Sequence, residues 1–385
     1  MEHTWFLASF WIALAIFSAL LALQFRVSAA LIEIIIGIFG QYLATFLFGK
    51  TGLNPKEGWI TFLAGLGAIM LTFMAGSELD PTSFRKQWKE ATFIGLLTFF
   101  VPFFSCSFFA HAIFQWNWRA AFLAGIALSA TSVAVMYTVL LELGLNKTSY
   151  GKGLLVACFI NDLSSVLLLG FLFAPFGWKT GVLTGIVLIC ALILPKITPV
   201  FLKYYANKPS ELEIKYLLFF LFALGGVAVW AGSEAVLPAY IIGMTLAGSI
   251  EQYHDFIKRL RTVTLGLLTP FYFIRAGSFV DLTELTKSFL PVFLFFILQQ
   301  LSKFISIFPF LVKRKKVQEA AYTTLLMSTG LTFNVICCLY GLSHEIISPR
   351  QYSILIPVII STAIIPTLVA NRFFIPWHHL EKKRT

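Results

Sequence analysis

The sequence predicts an all-α integral membrane protein with about thirteen transmembrane helices. Hydrophobic residues make up 58% of the 385 residues, charged residues make up only 12%, and the mean hydropathy is +0.84. Soluble globular domains do not have this composition. Apolar windows long enough to cross a bilayer also recur along the whole chain.

The apolar windows are separated by charged or Gly/Pro-containing loops. The ninth is short for a span, and the tenth contains Arg275. No loop is long and polar enough for a soluble domain, so we expect one membrane domain over residues 1–385. The predicted spans are 5–24, 28–48, 58–77, 91–112, 118–142, 153–175, 180–202, 214–232, 236–250, 264–280, 288–311, 320–342 and 352–375.

The basic residues indicate how the chain is oriented. With thirteen spans, loops on the side of the C-terminus carry 21 Lys and Arg residues, whereas the opposite loops carry 6. Cytoplasmic loops are the basic ones, so we expect a cytoplasmic C-terminus and an external N-terminus in a cell membrane, inner or plasma. The net charge of +11 therefore indicates topology, and we expect no nucleic-acid partner.

Thirteen spans can be divided into six, one and six. Residues of approximately 1–175 and 214–375 would then form two six-helix repeats of opposite orientation, joined by a linker helix at approximately 180–202. Inverted repeats of this kind are a recurrent design of secondary transporters.

Asp162 is the acidic residue placed at mid-membrane, about nine residues into the sixth span. An aspartate at that depth costs at least about 2.5–3.5 kcal/mol on insertion scales, so its presence needs a cause. An ion pathway, a proton relay and a structural pair with a buried cation are the alternatives. Burial favours the protonated form of a carboxylate, so the same oxygens can take either a proton or a monovalent cation.

Two other spans contain polar residues near their middle. The fifth span contains Thr131 and Ser132, and the twelfth contains Thr332 and Asn334. Such residues allow interrupted helices whose free backbone groups face a cavity, and breaks at corresponding positions of two repeats would cross near the midplane. Helix–helix packing through small hydroxyl side chains is the alternative.

Two basic residues also lie within spans. Lys303 is either a snorkelling side chain or, as we expect, a buried counter-charge or structural strut. Arg275 is always charged and needs a carboxylate, carbonyl dipoles or water. Glu33, Glu234 and Asp162 are its candidate carboxylate partners.

Enzyme signatures are missing from the sequence. The six histidines form no HExxH motif, and neither a P-loop nor a GxSxG motif is present. The five cysteines lie within apolar windows as small hydrophobic residues, so we expect no resident metal and no cofactor. We expect the protein not to be an enzyme.

Five stretches, in order along nearly the whole chain, resemble the monovalent cation–proton antiporters, on the Kef-type and NapA-like side of that family. One stretch has the glycine- and acid-containing segment of the family, one has a "TATS"-type helix break, and one has the paired ion-binding motif. The other two are proline- and glycine-containing helices. These stretches are residues 71–80, 129–134, 161–162, 237–243 and 269–282.

The resemblance implies a NapA-like fold of thirteen helices, a homodimer in the lipid bilayer and a mobile core that moves in an elevator-like cycle. It implies that Asp162 binds both cation and proton, with Asn161, Thr131 and Ser132 at the site. Lys303 matches the lysine that, in electrogenic members, pairs with the first acid of the motif.

The sequence departs from the family pattern in two places. The first acid is replaced by Asn161, which is typical of electroneutral exchange, whereas Lys303 is retained. We also expect no cytoplasmic nucleotide-binding domain, which many Kef-type relatives carry. The expected function is exchange of a monovalent cation for H⁺. Na⁺ is the first choice, and Li⁺ or K⁺, Kef-like K⁺/H⁺ exchange and a non-transporting ion-sensing subunit remain open.

Overall fold

The computed structural model describes residues 2–25, 27–49, 52–78, 81–173, 177–205, 210–250 and 252–376. Within these ranges every regular element is a helix. The helices are α1 (Glu2–Phe25), α2 (Ala29–Phe48), α3 (Gly58–Ser77), α4 (Pro81–Ala112), α5 (Trp118–Ser129), α6 (Val133–Glu142), α7 (Ser149–Phe173), α8 (Trp178–Tyr205), α9 (Leu212–Trp230), α10 (Val236–Ile250), α11 (His254–Val263), α12 (Thr269–Ser278), α13 (Leu282–Lys287), α14 (Phe289–Val312), α15 (Val317–Met327), α16 (Thr332–Ser343) and α17 (Pro349–Phe373).

The predicted all-α membrane architecture is confirmed. In the described part of the chain, 11 helical segments are long and apolar enough to cross a membrane. The predicted ninth span, α10, has 15 residues and is shorter than those segments. Residues 79–80 of the first family-like stretch, residues 174–175 of the sixth predicted span, and several counted loop cations, among them Arg26, Lys50, Lys208 and Lys382, lie outside the described residues.

Two predicted boundaries were wrong. The fourth span was predicted from residue 91, but α4 begins at Pro81 because exposed basic residues such as Arg85 continue the helix beyond the apolar window. The tenth span was predicted as one helix over 264–280. Residues 264–268 instead form a π-helical turn that follows α11, and the α-helix of this span, α12, covers only Thr269–Ser278. The Thr269 hydroxyl donates to the Thr264 carbonyl at 2.9 Å and satisfies it at this turn.

The chain forms two compact units. The first unit comprises Met1–Leu53, Ser83–Ser165 and Ala276–Thr385. Its core packs Met136 of α6, Leu154 of α7 and Leu326 of α15 into one apolar cluster. Both predicted helix breaks are present in this unit, because the fifth span is divided into α5 and α6, and the twelfth into α15 and α16.

The second unit comprises Asn54–Thr82 and Val166–Arg275. Its centre is the close approach of α3 to α10. A Cβ atom on Gly243 would collide with the Phe73 backbone, and one on Gly76 would collide with the backbone at Tyr240. Glycine at these two positions therefore allows the two backbones to touch, which is a common basis of helix packing in membranes.

We expect Gly243→Val to lower the thermal melting temperature of the purified protein, because overpacking a tight core costs about 1–3 kcal/mol or more. Gly226→Val is the matched control, since a Cβ atom there meets nothing within 4 Å. Equal melting temperatures for the two variants would contradict the packing described.

Candidate ion-binding site

The first helix break is an extended segment between α5 and α6. Ala130 and Ser132 have extended backbone angles, so the helix stops at Ser129 and restarts at Val133. The Ser132 hydroxyl caps α6 by accepting a hydrogen bond from the Val135 amide at 3.4 Å. A short side chain with a hydroxyl thus allows the helix to restart.

The second break separates α15 from α16 over residues 328–331. The Ser328 and Thr329 hydroxyls donate back to the carbonyls of Leu325 and Leu326 at 2.7 and 2.8 Å. Gly330 allows the chain to pass the Asn334 side chain, which a Cβ atom would strike. Local hydroxyl bonds therefore compete with helix continuation at this break.

The two breaks contact each other directly. The Ser132 amide donates to the Thr329 carbonyl at 2.9 Å, and the Thr131 hydroxyl donates to the Met327 carbonyl at 2.8 Å. The Ser132 and Thr332 hydroxyl oxygens lie 3.4 Å apart. The predicted crossing of the interrupted helices is therefore confirmed.

Asn334 connects the start of α16 to the end of α5. Its amide nitrogen donates to the carbonyls of Ala127 and Ala130 at 2.6 and 3.1 Å. Since two carbonyls face this nitrogen, the orientation of the amide is fixed by its surroundings. Its Oδ1 atom is buried without a hydrogen-bond partner in the described residues.

Asn161 on α7 holds the first break from another side. Its Oδ1 accepts the Thr131 amide at 2.8 Å, while its Nδ2 donates to the Thr98 hydroxyl at 3.2 Å and the Ser129 carbonyl at 3.4 Å. A carboxylate could accept the first bond but could not donate the others. The Asn161 side chain, which offers both an acceptor and a donor, therefore matches the Thr131 amide as well as the Thr98 and Ser129 oxygens.

Lys303 on α14 is fully buried and binds the same break. Its Nζ donates to the Ser129 carbonyl at 2.6 Å and to the Thr131 hydroxyl at 3.0 Å. The expectation that Lys303 is buried and does not snorkel is confirmed, whereas its role as a counter-charge or structural strut stays a prediction. The ammonium faces the C-terminal end of α5, where the helix dipole favours a cation. It forms no ion pair within 4 Å in the described part of the chain.

Asp162 follows Asn161 on α7 and is only 6% exposed. Its Oδ1 atom is buried and has no hydrogen-bond partner among the described residues. A buried carboxylate without donors needs a proton or a bound cation to offset the loss of water. Asp162 is thus the ionisable acceptor that the surrounding network leaves available, beside the neutral Oδ1 of Asn334.

Arg275 lies in the second unit. Its Nε donates to the Pro55 carbonyl at 2.7 Å, and its Nη2 lies 3.4 Å from the Thr61 hydroxyl. The carbonyl dipole was one expected kind of partner. A carboxylate partner for Arg275, chosen among Glu33, Glu234 and Asp162, stays a prediction.

Sequence reasoning missed two residues of this network. Thr98 on α4 accepts a hydrogen bond from Asn161, and Gln299 on α14 donates to the Ser328 carbonyl at 3.1 Å. Both are polar residues within apolar helices. Gln299 also lies four residues before Lys303, which places the two side chains on one helix face and is the signal that could have identified it.

A family model described as "Sodium/hydrogen exchanger, transmembrane" matches residues 12–374. This match covers nearly the whole chain and includes both helix breaks, Asp162 and Lys303. The chain belongs to the sodium/hydrogen exchanger family. The family is one of transporters and not of catalytic enzymes.

Several known antiporters are similar to this chain. A Na⁺/H⁺ antiporter of Enterococcus hirae is 25% identical over 87% of this chain and 91% of its own length. A probable Na⁺/H⁺ antiporter of Methanocaldococcus jannaschii is 28% identical over 61% of this chain and 63% of its own. Cation/H⁺ antiporter 17 of Arabidopsis thaliana is 29% identical, and the match spans 30% of that longer protein.

A solved structure of a sodium proton antiporter has the same fold. The sodium proton antiporter MjNhaP1 of Methanocaldococcus jannaschii, at pH 8, superposes with a TM-score of 0.69, covering 99% of this chain and 98% of that one at 16% identity. A second determination of that antiporter, by electron microscopy, gives 0.64. The predicted antiporter fold is confirmed.

We expect Lys303→Met to destabilise the folded protein, because a hydrogen bond to a charged group contributes about 1.5–3 kcal/mol and the Ser129 carbonyl would keep only the longer bond from Asn161 at 3.4 Å. Thermal melting in detergent measures the effect. Lys287→Met, at an exposed lysine of α13, is the control. If both variants melt like the wild type, the carbonyl does not depend on the ammonium.

Proposed function

We propose that this chain is a secondary antiporter that exchanges a monovalent cation, Na⁺ in the first place, for protons through Asp162. The observation that carries the proposal is the buried Asp162 oxygen without a hydrogen-bond partner. It lies in a compact unit in which two interrupted helices cross. Membership of the sodium/hydrogen exchanger family supports the same chemistry.

Competition for one carboxylate is sufficient for the exchange. A hard cation binds oxygen ligands, and a carboxylate oxygen is also the atom that takes a proton. Only one of the two can occupy Asp162 at a time. If an alternating-access step exposes this residue first to one face of the membrane and then to the other, each cation that leaves is replaced by a proton.

We assign different tasks to the neighbouring residues. Thr131 and Ser132 hold the first break in contact with the second and offer hydroxyl oxygens to the cation. The side-chain oxygen of Asn161 accepts a hydrogen bond from the Thr131 amide, so Asn161 stabilises the shape of the site. Thr332 and Asn334 hold the second break against the first. Arg275 has a structural task at Pro55.

We further propose that the exchange is electroneutral. The residue before Asp162 is the neutral Asn161, and Lys303 is bound by a carbonyl and a hydroxyl oxygen. The Lys303 charge is therefore offset by the dipoles at the end of α5, and it need not change during the cycle. One titrating carboxylate then balances one cation against one proton.

We also propose an orientation, a repeat organisation and an oligomeric state for the whole molecule. The 21 to 6 distribution of basic residues favours a cytoplasmic C-terminus and an external N-terminus in a cell membrane. The two broken helices are compatible with inverted repeats at approximately 1–175 and 214–375. A homodimer in the bilayer completes the arrangement that the family resemblance implies.

Transport can be tested in liposomes that contain a pH-sensitive dye. After a pH gradient is imposed, external Na⁺, Li⁺ or K⁺ is added to wild type and to Asp162→Asn. We expect Na⁺ to dissipate the gradient in the wild type and Asp162→Asn to abolish the response, because an amide cannot exchange a proton for a cation.

Asp255→Asn is the matched control, since Asp255 is an exposed carboxylate of α11, and it should exchange normally. A response to K⁺ and not to Na⁺ would assign K⁺/H⁺ exchange. A folded wild type without any response would favour an ion-sensing subunit. Exchange that survives in Asp162→Asn would refute the assigned carboxylate.

Electroneutrality can be tested by clamping the membrane potential with K⁺ and valinomycin. We expect the wild-type rate of Na⁺/H⁺ exchange to be independent of the imposed potential. Asn161→Asp should introduce a dependence, because a second carboxylate beside Lys303 adds a second proton-binding group. A wild-type rate that follows the potential would contradict one-for-one exchange.

A further inference from the structure

Helix α14 presents two buried polar side chains to the crossing of the helix breaks. Lys303 donates to the Ser129 carbonyl of the first break, and Gln299 donates to the Ser328 carbonyl of the second at 3.1 Å. Residues four apart lie on one helix face. One face of α14 therefore serves both breaks, with a charged donor at the first and a neutral donor at the second.

The orientation of Gln299 is fixed by its neighbours. The side chain is 1% exposed, and its Oε1 accepts a hydrogen bond from the side-chain Nε2 of Gln300 at 2.7 Å. Since that oxygen faces a donor and Ser328 presents an acceptor, only one orientation of the Gln299 amide satisfies both contacts. The side chain is thus held for donation to the second break.

The hydrogen bond from Gln299 affects the contact between the two breaks through the backbone at Ser328. Ser328 lies between Met327 and Thr329, and the carbonyls of those two residues hold Thr131 and Ser132 of the first break. If Ser328 is displaced, both of these bonds are strained or lost. Gln299 therefore acts on Thr131 and Ser132 without touching them.

We propose that Gln299 is a positioning residue of the exchange site, which sets the register of the second break and thereby the placement of Thr131 and Ser132. A neutral amide performs this task without adding a charge to the one already on Lys303. This inference rests on the proposed function, since it assumes that these two residues line the transported cation's site.

A matched pair of substitutions tests this role. Gln299→Met keeps the length of the side chain and removes its donor. Gln299→Glu keeps a donor only while the introduced carboxyl is protonated, because an ionised carboxylate accepts hydrogen bonds but cannot donate one. Ser306→Ala is the control on the same helix, since the Ser306 hydroxyl donates to a carbonyl of its own helix, that of Lys303.

In the liposome assay we expect Gln299→Met to raise the Na⁺ concentration for half-maximal exchange about tenfold at every pH, the effect of one lost buried hydrogen bond. Gln299→Glu should resemble the wild type at acidic pH and Gln299→Met at alkaline pH, whereas Ser306→Ala should not differ from the wild type. The proposal is overturned if Gln299→Met has the Na⁺ dependence of the wild type. It is also overturned if the pH profile of Gln299→Glu parallels that of Gln299→Met.

Hydrogen–deuterium exchange of the amides over residues 328–331 provides a readout that does not need transport. After correction for intrinsic rates, these amides should exchange faster in Gln299→Met at all pH values, and faster in Gln299→Glu only at alkaline pH. If the wild type moves no cation but this pattern appears, the proposed function fails and the positioning of the break stands. Unchanged exchange in both variants would overturn the positioning itself.

Discussion

The main constraint on this protein comes from its two helix breaks. The breaks leave backbone amides and carbonyls buried where water cannot satisfy them. An unpaired amide or carbonyl in the hydrocarbon region costs several kcal/mol. The two breaks satisfy part of this demand by bonding to each other, as Ser132 does to Thr329. Side chains supply further hydrogen bonds to the breaks, which explains why Lys303, Asn161, Asn334 and Gln299 are polar and buried.

The residues that hold the breaks differ from Asp162, the ionisable side chain of the site whose buried oxygen they leave without a hydrogen bond. The side chains of Asn161 and Lys303 both form hydrogen bonds to the first break. Asp162, the next residue after Asn161, keeps a buried oxygen without a hydrogen-bond partner in the described structure. In the proposed mechanism the small cation binds to this carboxylate, and the hydrogen bonds of the neighbouring network hold the surrounding groups in place.

Much of this arrangement could be predicted from the sequence. Asp162 was evident as a charge in the middle of an apolar span, and the runs around Thr131 and Thr332 predicted both breaks. The sequence could not show that Lys303 binds the Ser129 carbonyl, because those residues are 174 positions apart and the choice depends on packing. It also misplaced the start of α4, since a helix can continue past the apolar window that signals it.

The central claim is that one carboxylate takes either a proton or a cation. Proton release on Na⁺ binding tests it most directly, in weakly buffered detergent solution with an indicator dye and calorimetry on the same sample. The account predicts about one proton released per Na⁺ bound near neutral pH, and neither binding nor release in Asp162→Asn. Binding of Na⁺ without proton release, or binding that persists in Asp162→Asn, would contradict it.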